Sequence, residues 1–335
     1  MIFIYFLLFF LHLFLSNFKI KNKFDIKMEE YIQNGQEINK KVKKRWCLLI
    51  VIIIVILIVG IIALIIRKIV SDSKLRAEDQ KNMSKSDEEL IGTHFYMPRA
   101  NKEDVDLNLY MHEDDKYYPL IINVHGGAFI AGDADTLDTQ SNRISNDFNV
   151  NVVSVNYKLA GEKYSIEYGS EEVADTVKYF INNKDEYHID INNIFLLGYS
   201  AGAYHIMNAA LNLHKEGVKV NGQIICYGYL KDILDKYNAL SDTLKSTMPK
   251  SLFILADDEP IGKGSLDYQK ILAANGNQCE VKVYAGAIHG FIEENNPEYE
   301  KLHFHDAKSP EQEKLAREAE SYISNWINSK LKYIE

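Results

Sequence analysis

Cysteine is scarce in this sequence, and there is no excess of positive charge. Only Cys47, Cys226 and Cys279 occur in 335 residues, and no two of them form a C-x-x-C pair. A disulfide framework or a zinc site is therefore not expected. Two reduced thiols in the folded part are a simpler interpretation than a single Cys226–Cys279 bridge. The formal net charge of −9 at pH 7 gives no indication of a nucleic-acid partner.

Charged residues are missing altogether from the stretch 47–66, which reads CLLIVIIIVILIVGIIALII. As a helix with a rise of ~1.5 Å per residue, this stretch spans about 30 Å, the thickness of a bilayer core. A helix buried in a protein core is rarely apolar on every face. We therefore predict a single transmembrane helix at 47–66, with the membrane as a partner.

Basic residues are concentrated before this stretch rather than after it. The segment 1–46 contains nine lysines and arginines, all of them between residues 17 and 46, whereas Arg67, Lys68, Lys74 and Arg76 follow the stretch. Positive charge beside a membrane helix stays on the cytoplasmic side. We predict that the basic segment 1–46 lies inside the cell and that the chain after the span, with the predicted domain, is extracytoplasmic.

Residues 1–27 leave two interpretations open. The first 15 residues, MIFIYFLLFFLHLFL, are apolar but short for a span, and no basic region precedes them as in a signal peptide. They form either a second apolar membrane segment or sequence upstream of a true start at Met28. We favour Met28 as a hypothesis, because the run before it resembles translated A/T-rich non-coding sequence.

The rest of the chain divides into a polar segment and one domain. Residues 67–92 are rich in charge, and we predict a linker or helical stalk there. Residues 93–335 have a suitable length for a single domain and contain no internal repeat.

Apolar, β-branched runs alternate with helix-like stretches in this domain. Several runs are continuously apolar, as in strands that are buried on both faces. This pattern predicts an α/β fold with a mostly parallel central sheet and helices on both faces, and ligands bind at the carboxyl ends of such strands. The predicted strands are 105–111, 119–125, 150–156, 194–199, 222–228, 250–256 and 279–284, and the predicted helices are 134–147, 171–186, 201–215, 264–274 and 310–332.

The sequence Gly198-Tyr199-Ser200-Ala201-Gly202 is a G-x-S-x-G motif. The apolar run IFLL leads into it and the helix-like segment AYHIMNAALNLHK leads out of it. A sharp strand–serine–helix turn lifts the hydroxyl above the sheet edge, and the flanking glycines leave room for the crossing. Ser200 is therefore our candidate nucleophile, although an ordinary strand-to-helix turn with a capping serine has the same pattern.

A second glycine motif, His125-Gly126-Gly127, follows the predicted strand at 119–125. Acyl transfer places negative charge on a carbonyl oxygen, and backbone N–H groups must be aimed at that oxygen in advance. Glycines allow the backbone to approach a ligand closely. We predict an oxyanion hole formed by the amides of Gly126, Gly127 and Ala201.

A carboxylate and a histidine follow in the order that a nucleophile elbow requires. Asp257, Asp258 and Glu259 stand at the carboxyl end of the predicted strand 250–256, and His289 follows the strand 279–284. A carboxylate there can orient the imidazole, which takes the serine proton. The H-x-H at 303–305 has too few partners for a metal site, so we expect neither a metal nor another cofactor.

Taken together, these motifs resemble those of the hormone-sensitive-lipase-like esterases over residues 93–330. That family carries H-G-G-G, D-Y-R-L-A, G-D-S-A-G, D-P-L and H-G-F in this order. The corresponding segments are His125-Gly126-Gly127-Ala128, Asn156-Tyr157-Lys158-Leu159-Ala160, Gly198-Tyr199-Ser200-Ala201-Gly202, Glu259-Pro260-Ile261 and His289-Gly290-Phe291. The resemblance implies the α/β-hydrolase fold and a catalytic triad of Ser200, Glu259 and His289.

Two positions depart from the family pattern. Ala128 replaces the third oxyanion glycine, but its amide remains. Glu259 replaces the usual aspartate, which triad logic permits, and Asp258 is the reserve candidate. The segment 229–249 has room for only one or two short helices as a cap, so we expect a short or accessible acyl group.

The predicted function is hydrolysis of carboxylic esters through an acyl-enzyme on Ser200, with a small-molecule or polymer-borne acyl ester as substrate. Two alternatives remain. The same groups could cleave an amide, as in a formamidase or peptidase, or the chain could be a non-catalytic membrane-anchored binding protein on a hydrolase scaffold. Such proteins usually lose the serine or the histidine, and both are present here.

Overall fold

One long helix, α1 (Gln33–Met83), contains the uncharged stretch. The computed structural model describes residues 33–230, 233–257 and 262–331, so the two interpretations of residues 1–27 lie outside the described residues. Most side chains between Leu48 and Ile66 are exposed. By length and composition α1 can cross a membrane.

The chain divides into two units after Asp72. The second unit begins at Ser73 and includes the end of α1. Part of the segment 67–92, which we predict as a linker, therefore belongs to the same unit as the predicted catalytic domain.

An eight-stranded sheet forms the centre of the second unit, in the order β1-β2-β4-β3-β5-β6-β7-β8. The pairs β1–β2 and β2–β4 are antiparallel, and the other neighbours are parallel. The strands are β1 (Thr93–Met97), β2 (Val105–Tyr110), β3 (Tyr118–Val124), β4 (Asn151–Asn156), β5 (Ile189–Tyr199), β6 (Gly222–Cys226), β7 (Lys250–Ala256) and β8 (Cys279–Tyr284).

Helices cover both faces of the sheet because its central strands are apolar on both sides. In β3, Leu120 and Ile122 join one buried cluster and Ile121 joins the other. The helices after α1 are α2 (Asp138–Phe148), α3 (Ile166–Asn182), α4 (Ala201–Lys215), α5 (Ile233–Asn238), α6 (Asp242–Lys245), α7 (Gly262–Ala274) and α8 (Pro310–Lys330).

The strand order reverses at β3, which lies between β4 on one side and β5 on the other. The loops that leave β3 and β5 therefore diverge from neighbouring carboxyl ends and open a crevice. The His125-Gly126-Gly127 motif follows β3, and Ser200 follows β5. The topology thus brings two motifs that are distant in sequence to one edge of the sheet.

The predicted α/β architecture is confirmed, with differences at particular elements. β1 was not predicted, because it is a short, largely exposed edge strand that lacks the buried apolar run used to identify the others. α3 begins at Ile166 after Ser165, earlier than the apolar periodicity indicated. Cys226 on β6 and Cys279 on β8 are free thiols, and β7 lies between their two strands.

Asp138 connects the start of α2 with the chain that precedes β1. Its buried carboxylate accepts hydrogen bonds from Lys85 Nζ at 2.6 Å, from Tyr110 Oη at 2.9 Å and from the backbone N–H groups of Ile91 and Gly92. A buried charge of this kind is tolerated only with such partners. The entry of the chain into the sheet therefore depends on this carboxylate.

We predict that Asp138→Ala lowers the free energy of unfolding by about 2–4 kcal/mol. It removes one of the two carboxylates that pair with Lys85, the other being Glu298, and leaves the amides of Ile91 and Gly92 without their acceptor. Urea unfolding in detergent, followed by tryptophan fluorescence, measures the change. Asp147→Ala is the control, since Asp147 is exposed on the same helix. Equal midpoints for the two variants would contradict the prediction.

Candidate active site

Ser200 lies at the turn between β5 and α4, with backbone angles φ 51° and ψ −111°. Few residues other than glycine adopt a positive φ, and such strain is held only where the surroundings impose it. Here the backbone N–H of Ser200 donates to the carbonyl of Cys226 at 3.0 Å, which ties the turn to the end of β6. The serine therefore has the conformation of a nucleophile elbow.

The two flanking glycines are required by close backbone approach. A Cβ on Gly198 would lie 2.5 Å from the carbonyl oxygen of Gly202, and a Cβ on Gly202 would lie 2.1 Å from that of Val124. Both distances are far below van der Waals contact. Only glycine allows α4 to cross β5 and the end of β3 at this separation.

His289 reaches the serine from the loop after β8. Its Nε2 lies 2.8 Å from Ser200 Oγ, a distance at which the hydroxyl donates to a neutral imidazole. The ring also packs edge-on against Tyr227, with 5.1 Å between the ring centroids. The structure therefore brings together the predicted nucleophile and the predicted base, and this pair can form an activated serine.

The predicted oxyanion loop lies directly beside the serine. A Cβ on Gly126 would lie 3.4 Å from Ser200 Cβ. Gly127, Ala128 and Phe129 all have positive φ, at 119°, 53° and 71°. A side chain on Gly127 would collide with the carbonyl of Ala131 at 1.9 Å. The loop is thus a tight, strained turn at the carboxyl end of β3.

The carbonyl groups of Gly126 and Gly127 accept hydrogen bonds from within the loop. His125 Nδ1 lies 2.7 Å from the carbonyl oxygen of Gly126, and the N–H groups of Ile130 and Ala131 donate to that of Gly127. Because a trans peptide is planar, the N–H groups of Gly127 and Ala128 point in the opposite direction. Donors of this kind can stabilise an oxyanion.

His125 contributes to the loop through its neutral form. Burial lowers the pKa of His125 to about 4, so the ring is uncharged at neutral pH. Its Nδ1–H then donates to the carbonyl of Gly126 and its face stacks on Tyr157. Sequence analysis identified the glycines of this motif but assigned no role to the histidine.

Ala201 is the first residue of α4. The first N–H groups of a helix have no intrahelical partner and carry the positive end of the helix dipole. Ala201 therefore offers its amide next to Ser200, as the predicted oxyanion hole requires.

The two candidate acids, Asp258 and Glu259, lie outside the described residues, and so do Pro260 and Ile261. The structure describes the chain up to Asp257, whose N–H donates to the carbonyl of Tyr284 at 3.2 Å. This bond joins the carboxyl ends of β7 and β8, from which the acid loop and the His289 loop depart. The identity of the acid stays a prediction.

Sequence analysis missed two carboxylates that follow His289. Glu293 is buried, and Tyr227 Oη donates to its Oε2, while a Cβ on Gly126 would lie 2.9 Å from its Oε1. Glu294 accepts a hydrogen bond from the N–H of Ala307 at 2.7 Å. The only signal in the sequence is the pair of glutamates directly after H-G-F-I. Such a pair is equally typical of a polar loop.

The described residues contain no group of three or more histidine, cysteine, aspartate or glutamate side chains that could hold a metal ion.

Comparisons with known proteins agree with this architecture. A family model described as the alpha/beta hydrolase fold matches residues 121–245. The structure is similar to a hyperthermophilic esterase from the archaeon Pyrobaculum calidifontis, with a TM-score of 0.60 and 22% identity over 79% of this chain and 97% of that one.

Two further solved structures are similar at 18% identity. One is EstE1, a thermostable carboxylesterase cloned from a metagenomic library, with a TM-score of 0.62 over 78% of this chain and 96% of that one. The other is carboxyl esterase 2 from the fungus Tuber melanosporum, with a TM-score of 0.61 over 74% and 89%. At this level of identity, the likeness establishes a common fold.

Burial, reinforced by the neighbouring charge of Glu293, raises the pKa of Glu294 to about 7, against an ordinary value of 4.5. The folded chain then binds this proton more tightly than the unfolded chain, so stability falls as pH rises from about 4.5 to 7. We predict that Glu294→Gln stabilises the protein by ~1–3 kcal/mol at pH 8 and has little effect at pH 4.

Urea unfolding at both pH values measures this difference. Glu162→Gln is the control, since Glu162 is exposed in a loop. If the unfolding midpoint of Glu294→Gln followed that of the parent chain at both pH values, Glu294 would not carry the raised pKa.

Proposed function

We propose that this chain, which has the α/β-hydrolase fold, is a serine hydrolase that cleaves carboxylic esters. The observation that carries the proposal is the 2.8 Å contact between His289 Nε2 and Ser200 Oγ at a strained strand-to-helix turn. The serine also lies beside a glycine loop whose carbonyl groups accept hydrogen bonds from within the loop. The esterase titles of several similar structures give further support.

In the proposed mechanism, Ser200 Oγ attacks the ester carbonyl carbon while His289 Nε2 takes its proton. The carbonyl oxygen becomes an oxyanion, which the amides of Gly126, Gly127 and Ala201 stabilise. The C–O bond to the alcohol then breaks, and His289 returns the proton to the departing oxygen. A water molecule, deprotonated by His289, releases the acid from the acyl-enzyme in the same way.

Glu259 is the proposed third member of the triad, and Asp258 is the alternative. Both carboxylates follow β7 directly in the sequence, and β7 pairs with β8, the strand before His289. Its role would be to fix the imidazole tautomer and to stabilise the imidazolium formed during attack. The family resemblance favours Glu259 because Pro260 and Ile261 follow it.

The acyl group is proposed to be short or presented at a surface. Between β6 and β7 the described residues form only two short helices, Ile233–Asn238 and Asp242–Lys245. So small a cap cannot enclose a long chain. The substrate would be a small ester or an acyl group carried on a polymer.

We also propose that the stretch 47–66 is a single membrane span and that the catalytic unit is extracytoplasmic. The support for the span is the length and apolar composition of α1. The support for the orientation is the concentration of basic residues in the segment 1–46.

Ser200→Ala should lower the rate of p-nitrophenyl acetate hydrolysis by ~10⁴-fold or more, because the nucleophile is lost. A fluorophosphonate probe should label the parent chain on Ser200, as read by mass spectrometry of the peptide, and should not label the variant. Ser246→Ala, an exposed serine on the cap, serves as the control. Hydrolysis that survives in Ser200→Ala would overturn the mechanism.

Glu259→Gln should lower kcat by ~10²–10⁴-fold, whereas Asp258→Asn should lower it less than tenfold. Each change removes one negative charge and keeps the size of the side chain, so the pair is internally controlled. The kcat of each variant for the same ester measures the effect. The opposite ranking would assign the acid to Asp258.

A further inference from the structure

Gln80, near the end of α1, pairs with the backbone of Gly132 through both ends of its amide. Its Nε2 donates to the carbonyl of Gly132 at 2.9 Å, and the N–H of Gly132 donates to its Oε1 at 3.0 Å. This two-point pairing resembles that between neighbouring strands and fixes the orientation of the peptide groups on both sides of Gly132.

Gly132 in turn lies against the predicted oxyanion loop. Its φ is 107°, and a Cβ there would lie 2.4 Å from the carbonyl oxygen of Gly126 and 2.5 Å from His125 Nδ1. Gly132 therefore packs directly on the hydrogen bond that turns the Gly126 carbonyl inward. A shift of Gly132 would release that carbonyl and rotate the peptide that carries the N–H of Gly127.

We name the segment 73–85 the arm. Besides Gln80, other residues of the arm are held by buried contacts. Asp79 is 2% exposed and accepts hydrogen bonds from the N–H groups of His303 and Phe304 at 2.9 and 3.1 Å. Ser84 Oγ donates to Asp133 Oδ2 at 2.8 Å, directly after Gly132. A carboxylate as buried as Asp79 requires such partners, so the position of Gln80 is set by the fold.

We infer that Gln80 is a positioning residue for the oxyanion hole, and that the buried contacts of the arm hold it in place. The inference rests on the proposed ester hydrolysis. Through Gly132 and the Gly126 carbonyl, Gln80 keeps the amides of the loop aimed at the developing oxyanion. It touches neither the substrate nor Ser200.

A positioning role and a merely structural role lead to different kinetics. Oxyanion donors act on the transition state, so their misplacement lowers kcat and leaves ground-state binding nearly unchanged. Removing a whole donor costs about 10²–10³-fold in kcat. For a displaced loop we expect a fall of roughly 10–100-fold on the same basis. A purely structural contact would lower the melting temperature and leave kcat of the folded protein intact.

The test uses the full chain in detergent with three variants. Gln80→Ala removes the side chain, Gln80→Met keeps its length without the amide, and Glu78→Ala is the control, since Glu78 is exposed on the same helix. The measurements are kcat and KM for p-nitrophenyl acetate, the melting temperature, and Ki for a trifluoromethyl ketone, which forms a tetrahedral oxyanion adduct with the serine. All assays are run well below the melting temperature of each variant.

In both Gln80 variants, kcat should fall roughly 10–100-fold, and Ki for the ketone should rise in parallel with the fall in kcat/KM. Glu78→Ala should stay within about twofold of the parent chain in each parameter, because an exposed side chain makes no contact with the loop. Should Gln80→Ala fail to fold, Gln80→Met decides by the same criteria.

Unchanged kcat and Ki in a folded Gln80 variant would overturn the inference, whatever the melting temperature. That outcome differs from a failure of the proposed function, in which the parent chain itself would show no hydrolysis that depends on Ser200. The parent and Ser200→Ala chains are therefore assayed beside the arm variants.

Discussion

The close crossing of β5, α4 and the end of β3 is the constraint on which the rest of the site depends. Gly202 lies so near the carbonyl of Val124 that no side chain fits between them. This contact joins the turn that holds Ser200 to the strand that leads into the predicted oxyanion loop. The positive φ of Ser200 follows from it, because the chain must reverse direction between a strand and a helix that almost touch. A looser packing would allow a relaxed turn, and the hydroxyl would no longer stand above the sheet edge.

Buried charge around His289 is the second organising feature. Glu293 and Glu294 lie within five residues after the histidine, and neither carboxylate is freely solvated. Negative charge near an imidazole stabilises its protonated form, which the proposed attack by the serine would produce. The two negative charges repel each other, and this repulsion contributes to the raised pKa of Glu294. His125, in contrast, is kept neutral by burial, so the predicted oxyanion loop receives a hydrogen bond without an additional charge.

Much of the architecture could be predicted from the sequence because its signals are local. Continuous apolar runs predicted the parallel strands, and the helix after the elbow was predicted at its observed bounds, 201–215. The edge strand Thr93–Met97 was missed since it buries little. Glu293 and Gln80 were missed for a different reason. A glutamate after H-G-F-I and a glutamine in a charged stretch have no distinguishing pattern, and their importance arises only from what they contact.

The sequence by itself determined the types of group that are present: a serine between glycines, a histidine after the last strand, an H-G-G loop and an uncharged stretch long enough for a membrane. Periodicity and composition carry this information because each depends on neighbours in the chain. Only the tertiary structure decided which groups meet. The strand order places the loop after β3 beside the one after β5, and the hydrogen bonds of Asp79 and Gln80 tie the arm to the catalytic unit. Such contacts join residues that are distant in sequence, and no local pattern specifies them.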